Sequence, residues 1–598
     1  MKLRLQAAIF FLLLTAQISW GAEKPWIETK SPHFRVLTNT SPGEGRRVAR
    51  EFEQFRALML NRYPGFRLES AAPLVIFAVR DEDTAASLNP RLWNVKGAKY
   101  AGYYSPGWEK QFAIVRLDTW GRGAQEVVFY EYAQMVLNLN TRWLPTWLSV
   151  GFDEFYSYTL FTEKGALLGV PTERFRQLLT RAPIPLEEMM NVTPMSPYMH
   201  DEDKVYVFRA QVWALFHYLM FGPKMENGEK LGKYFEMLQK GADQKKAFER
   251  IFGNPKSLDW ELQQYVHQFA LRGVEVKNLP TFNEKDFPSR TMTMAETQAE
   301  LGGYHLWTRD WDNARAYIKD ALNSDPNLGL AHEEQGFLNL HDGKDADAVK
   351  EFTEAVEKDK TLYLSLFFKT MMSPQATSDN RADQSAFRQG LTDTLNLNLQ
   401  FAPAFVELSR LALRQNDLKA ALNYSLRAEG LEPSRAGYHT YTGQILLRMG
   451  RYEEAAEHAR FVAERWAAAD HNEAFELWNS IPESQRPAGE RVVEDRPKDA
   501  ERAEGTLKAV NCGDKAQWSL SLSQGNETIS FRRGEKFLWG YSDTFWYGRN
   551  HINLCHDLEG NRAIVYFKPS SSKDSAGEAL AVEVRNDLPA SPAKSPAD

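Results

Sequence analysis

Residues 294–358 read MAETQAELGGYHLWTRDWDNARAYIKDALNSDPNLGLAHEEQGFLNLHDGKDADAVKEFTEAVEK, and they decide the architecture of the middle of the chain. Within them Gly302 and Gly336 are 34 residues apart, as are Ala314 and Ala348, and Ala321 and Ala355. Ala421 and Ala455 repeat that spacing further on, and Pro326 and Pro433 close two of the units. Small residues at fixed offsets are what two antiparallel helices need where they cross closely, and proline suits the turn into the next pair. Units are therefore expected to begin at Ala295, Gly329, Ala402 and Ala436, with a degenerate one between, lengthened around Ser373 to Asp383.

This period resembles the tetratricopeptide repeat, a helix–turn–helix unit that stacks into a superhelix. The resemblance implies an all-α solenoid over 294–470 whose concave face, lined by the first helix of each unit, accepts a peptide or protein partner. In that register Glu333, Phe337, Arg410, Thr440 and Gln444 face the groove. Such an array also has a second use, packing against the domains on either side.

Outward from the repeats, the 598 residues are 43% hydrophobic and 25% charged, an ordinary globular composition long enough for about three domains. A net charge of −7 argues against a nucleic-acid-binding surface over the whole chain. Two cysteines exclude a four-cysteine metal site, whereas twelve histidines permit a histidine one. Lys2 and Arg4, the apolar run Ala7–Ala16, and Ser19-Trp20-Gly21 compose an expected signal peptide over 1–21. The run is too short to span a bilayer, so an exported protein, periplasmic or secreted, is expected.

Residues 24–280 alternate strands and helices, an α+β pattern. Strands are expected at Phe34–Thr38 and Pro73–Val79, a hairpin around Ser105-Pro106-Gly107, and helices from Gln125 onward. Residues 481–504 read as a charged, proline-containing linker. Residues 505–585 read as a small β-barrel or sandwich, with turns at Gln524-Gly525-Asn526 and Glu559-Gly560-Asn561. The Pro/Ser/Ala-rich end, 586–598, reads as a disordered tail. Cys512 and Cys555, alone in an exported β domain, are expected to form a disulfide worth about 4 kcal/mol on the loop-entropy model. Two free thiols, or metal binding with His551 and His556, are the competing readings. The cluster Asp543–Gly548 could bind glycan or serve as barrel core.

Chemistry is sought in residues 126–157, EVVFYEYAQMVLNLNTRWLPTWLSVGFDEFYS. A helix, a short linker and Trp-Leu-x-x-Gly-Phe-x-Glu-Phe resemble the gluzincin type of zinc metallopeptidase. They resemble in particular the peptidase-MA-like domain fused to tetratricopeptide repeats in exported bacterial proteins. Trp26-Ile27, Ser31–Phe34 and Ala210–Leu215 extend the resemblance over residues 24–272. The family's H-E-x-x-H supplies two zinc ligands and a general base, and a glutamate on the next helix supplies the third ligand.

Here those three ligand positions read Tyr130, Gln134 and Val150, and only the base position, Glu131, is kept. Glu154 matches a further acidic position. Of the histidines in this region, His33, His200, His217 and His267, none is four residues from another, so no shift of register restores the motif. The resemblance therefore implies a metallopeptidase-like domain without metal or other cofactor, and a non-catalytic protein-binding scaffold. The alternatives are a hydrolase working through Glu131 and Glu154 without zinc, and a carbohydrate-binding envelope protein.

Overall fold

The structure, a computed structural model, describes residues 25–585 except 95–99, 108, 120–123, 163–164, 173–174, 177–180, 269–270, 272, 512–517, 542–557 and 571–574. The signal segment, both cysteines, His551, His556, Asp543–Gly548 and the tail thus lie outside the described residues.

The chain opens with strands β1 (Ile27–Lys30) and β2 (Arg35–Thr38), helix α1 (Pro42–Arg62) and strand β3 (Leu74–Val79). Two short helices follow, α2 (Glu82–Leu88) and α3 (Pro90–Trp93), then the hairpin β4 (Gly102–Ser105) and β5 (Gln111–Arg116). With β9 (Ser289–Thr291) these strands form one sheet in the order β4-β5-β3-β2-β1-β9. β3 runs parallel to both β2 and β5, and the other pairs are antiparallel. The helical half comprises α4 (Ala124–Asn140), α5 (Thr146–Ser157), α6 (Leu186–Met189), α7 (Glu202–Phe221), α8 (Glu229–Gln239), α9 (Gln244–Phe252) and α10 (Pro255–Val266). A small sheet of β6 (Leu160–Thr162), β7 (Gly165–Leu168) and β8 (Val274–Lys277) edges it.

Strands that alternate faces with period two, yet are apolar at every position, must be covered on both sides. Ile76, Ala78, Ala113 and Val115 point into a core with Val48, Phe52 and Phe55 of α1 and Phe129 and Tyr132 of α4. Their neighbours Val75, Phe77, Val79, Phe112 and Ile114 point the other way, into a core shared with the repeat array. Tyr304 is wedged there edge-on to Phe77 and Phe112, with centroids 5.5 and 5.8 Å apart. At about 1.5–3 kcal/mol per large apolar side chain, this face contributes on the order of 10 kcal/mol, as much as the net stability of a whole domain.

The array runs α11 (Met294–Trp307), α12 (Trp311–Ser324), α13 (Gly329–His341), α14 (Asp345–Lys358), α15 (Tyr363–Met371) and α16 (Arg381–Leu397). It continues with α17 (Ala402–Arg414), α18 (Leu418–Leu431), α19 (Ala436–Arg448), α20 (Tyr452–Ala463) and α21 (Ala468–Ser480). Thr293 starts α11 with a capping box: its hydroxyl accepts from the Glu296 amide, and the Glu296 carboxylate accepts from the Thr293 amide. The 34-residue spacing has its cause at the helix crossings. A Cβ on Gly302 would stand 2.7 Å from Ile318 of the paired helix, and one on Gly336 would stand 2.6 Å from Phe352. The degenerate unit is the pair α15–α16, separated by a 3₁₀ turn at Pro374–Ala376.

The C-terminal region resolves the choice between barrel and sandwich. β10 (Glu501–Asn511), β11 (Ser519–Gln524), β12 (Glu527–Tyr541), β14 (Gly577–Arg585) and β13 (Arg562–Pro569) close in that order into a barrel, with β12 and β14 the parallel pair. It sits on α21, where buried Asn472 donates to Glu583 (2.8 Å) and Tyr566 (3.2 Å) and Glu476 accepts from Arg562 (2.5 Å). The segment before β10 is pinned to the same helix, since Asn472 both accepts from the Asp495 amide and donates to its carbonyl. Among the described residues no helix is long and apolar enough to cross a membrane.

One buried ion cluster locks the hairpin β4–β5 to the array. Lys110 lies 2.6 Å from Glu333 and 2.5 Å from Glu334, all three nearly inaccessible to solvent. Burial, offset by Lys110 and reinforced by Glu333, pushes the Glu334 carboxyl up to about 7. Lys110→Met leaves two buried acids uncompensated and is expected to cost about 3–5 kcal/mol. A denaturation midpoint unchanged from the parent protein would contradict this.

Candidate functional site

The degenerate motif lies on α4, and its exposed side forms one wall of a cavity of about 390 Å³. Glu131, Gln134, Met135, Asn138 and Leu139 contribute that wall. Tyr104, Pro106, Gly107 and Gln111 of the hairpin, with Arg67 and Ala71, enclose it from the sheet. The opposite side belongs to the array, at Gln400 and at Leu431, Glu432 and Ser434 between α18 and α19. The cleft that the resemblance marks as catalytic is thus walled partly by the repeats.

The chemistry of that wall differs from a zinc site. Tyr130 is buried, and burial, with Asp153 close by, holds its phenol well above its ordinary range, so it is neutral. Its ring lies under the Arg209 guanidinium, 4.8 Å from the centroid. Val150 is buried in the apolar core. A neutral phenol, an amide and an alkyl group do not fit zinc's requirement for three donors. Glu131 lines the cavity, and burial raises its carboxyl above the usual range despite Arg209.

Glu154 is instead buried on α5, 3.3 Å from Arg209, and is not among the residues lining the cavity. Asp153, next to it, is fully buried with both carboxyl oxygens lacking a hydrogen bond. Burial, reinforced by Glu131 and Glu154, pushes its carboxyl well up. Asp153 went unnoticed in the sequence because one acid inside an aromatic helix carries no periodic signal.

The four histidines of this region are engaged elsewhere. His33 meets Glu53 (2.9 Å), His200 the Pro194 carbonyl, His267 the Gln263 carbonyl. His217 is a core residue held between the Gly169 carbonyl and the Tyr265 hydroxyl. The glycine of Trp-Leu-x-x-Gly has a packing reason: a Cβ on Gly151 would meet the Val212 carbonyl of α7 at 3.0 Å.

The five groove positions separate by environment. Phe337 is buried among Trp307, Phe352 and Phe368, and Thr440 is buried against its own helix, donating to the Ala436 carbonyl. Glu333 is buried beneath Lys110 and accepts from the Ser365 hydroxyl at 2.7 Å. Arg410, 3.3 Å from Glu407, and Gln444 remain partly exposed. The early units spend their inner face on the chain's own hairpin: the Tyr363 hydroxyl donates to the carbonyls of Ala71 (3.1 Å) and Glu109 (3.3 Å).

The described residues also bring together a trio that the sequence reading missed, Glu429, His439 and His458. Spacings of 10 and 19 residues match no metal motif, and only the antiparallel stacking of α18, α19 and α20 makes them neighbours.

No family model matches the chain, and no curated protein matches it. Among solved structures it is similar to PilF of Pseudomonas aeruginosa, at 16% identity over 31% of this chain and 81% of that one, TM-score 0.27. It is similar to YrrB, described as a tetratricopeptide-repeat protein with an unusual peptide-binding site, at 14% identity over 31% and 92%, TM-score 0.25. A third is MamA of Desulfovibrio magneticus RS-1, at 17% identity over 29% and 96%, TM-score 0.25.

Asp153 gives a signed pH test. A carboxyl whose folded pKa is raised loses stability as pH climbs from its unfolded value, near 4, toward the folded one. Asp153→Asn removes that loss. It is expected to stabilise the protein by on the order of 1–2 kcal/mol at pH 8 and to show no advantage at pH 4. Melting curves at both pH values check it, and equal melting temperatures at pH 8 count against the assignment.

Proposed function

We propose that the chain is an exported, non-catalytic scaffold that binds a segment of polypeptide between a zinc-peptidase-like unit and its repeat array. The observation that carries this reading is the shared cavity. Apolar surface from Ala71, Pro106, Met135, Leu139 and Leu431 alternates there with polar groups such as Arg67, Glu131, Gln134, Asn138, Gln400 and Glu432, a mixed lining that suits a segment of polypeptide. The donor chemistry at Tyr130, Gln134 and Val150 supports binding over zinc hydrolysis. Arg410 and Gln444, the partly exposed groove positions, extend the surface along the array. No cofactor or nucleic acid enters this reading, and the partner is a peptide or protein. The basic start, apolar run and small residues of 1–21 support export to the periplasm or medium.

A second reading rests on Glu131 alone. It is an acid on the cavity wall with a raised pKa, the state a general base working near neutral pH requires. One experiment separates the two. Peptides selected on the full chain from a random library are expected to lose at least about tenfold in affinity to Met135→Trp, which fills the cavity. Glu131→Gln is expected to leave binding largely intact. If peptides are cleaved by the parent protein and not by Glu131→Gln, the hydrolase reading replaces the scaffold. Weakening by Arg410→Ala but not by Met135→Trp moves the site onto the array. Export is checked by sequencing the N-terminus of protein from the envelope fraction, expected to begin at Ala22.

A further inference from the structure

Of the trio on the last repeats, Glu429 and His458 line a second cavity, of about 440 Å³, between the array and the segment that follows α4, and His439 is fully buried. Glu429 comes from α18, His439 from α19 and His458 from α20, and one ligand atom of each falls within 4.8 Å of the others. Glu429 stands 2.9 Å from His439 Nδ1 and 3.9 Å from His458 Nδ1. Glu429 Oε2 and His458 Nδ1 are buried without a hydrogen bond, while Glu429 Oε1 faces His439 Nδ1 at that 2.9 Å.

The tautomers turn this into an argument. His439 Nε2 lies 2.7 Å from the Pro433 carbonyl, which only accepts, so Nε2 carries the proton. Nδ1 therefore faces a carboxylate oxygen at 2.9 Å, and a positive charge belongs between them, a proton or a metal ion. The main chain of His439 in turn hydrogen-bonds His458. A backbone carbonyl behind each imagined ligand is the arrangement by which metal-binding imidazoles are oriented.

An internal control lies 107 residues earlier in the chain. His332 holds the equivalent place on α13, with Nε2 2.9 Å from the Pro326 carbonyl and Nδ1 2.7 Å from Glu351. There one imidazole meets one carboxylate, and the Glu351 side chain raises the histidine pKa so that the pair is a simple ion pair. At the last units the position of Glu351 on the second helix is taken by His458, and the carboxylate arrives from the preceding helix.

We infer that Glu429, His439 and His458 form a binding site for a borderline divalent cation of the zinc class, with the cavity leaving a fourth position open. Two imidazoles and one carboxylate are a recognised zinc donor set. Tetrahedral zinc places its ligand atoms about 3.3 Å apart, so the trio has to draw together from its spread of up to 4.8 Å to hold the ion. The basic groups around the cavity are Arg142, Lys240, Arg460 and Arg465. Lys240 is paired with Glu236, Arg460 with Glu490, and Arg465 with Glu464 and the Gly241 carbonyl. Arg142 stacks on Phe461, 4.1 Å from its centroid, and its charge opposes the cation and limits the affinity. The bound ion ties three helices of the terminal repeats; it is separate from the Glu131 cavity and supplies no hydrolytic step there.

The test uses the full chain, stripped with chelator. Titration with cobalt(II) is expected to give one equivalent with the visible absorption of a tetrahedral site, displaced by zinc, and zinc is expected to raise the melting temperature. His458→Gln and Glu429→Gln, each with the circular dichroism of the parent, are expected to weaken binding by at least about tenfold. Binding that survives both substitutions, or that shows thiolate-to-cobalt charge transfer, assigns the ion to other residues and overturns the site. A parent melting temperature indifferent to zinc overturns it too, whether or not the variants fold.

Discussion

The second face of the mixed sheet governs everything built around it. Phe77, Phe112 and Ile114 cannot be left in water, and helices α1 and α4 are already spent on the opposite face. The repeat array supplies the missing layer, with Tyr304 and Leu301 of α11 and Phe337 of α13 in the same core. Surface ion pairs worth about 0–1 kcal/mol each could not hold such a junction. Apolar burial does, and the Lys110 cluster then fixes its register. The cavity by Glu131 exists because that docking brings the loops of later repeats opposite α4.

Seen against this junction, the limits of sequence reading have a physical cause. Period 34 was legible because helix crossings tolerate only small residues, and Gly302 and Gly336 report those crossings locally. Strand β3 was legible because Leu74–Val79 is apolar throughout, and its apolarity on both faces already required two covering layers. Which layer covers the second face was not legible, because apolar surfaces carry no address. For the same reason Phe337 and Glu333 read as groove positions, although their partners, Phe368 and Lys110, lie far from them in sequence. A small β domain was legible from its alternating strands and turns, whereas closure into a barrel rather than a sandwich was not. Its seat on α21 depends on Asn472, a lone polar residue that no pattern marks.

The interior behind the Glu131 wall holds an unusual polar cluster. Asp153, Glu154 and Tyr130 lie together with one guanidinium, Arg209, and Glu131 stands at the edge where the cavity begins. A single positive charge among three acids leaves most of the balance to protonation, which is why Asp153 and Glu131 are both pushed upward.

Finally, the array is fastened at both ends to one body. Its first helices lie on the sheet, and its last touch the α4–α5 connection, where Arg142 stacks on Phe461 and Arg465 lies over Trp143. Arg67 also donates to the Leu431 carbonyl. Open solenoids lengthen and shorten freely as units are duplicated or lost. A solenoid closed onto a second domain behaves as a brace cut to measure: one added pair of helices would tear one attachment to keep the other. Substitutions within the units leave both attachments in place, whereas a change in their number does not.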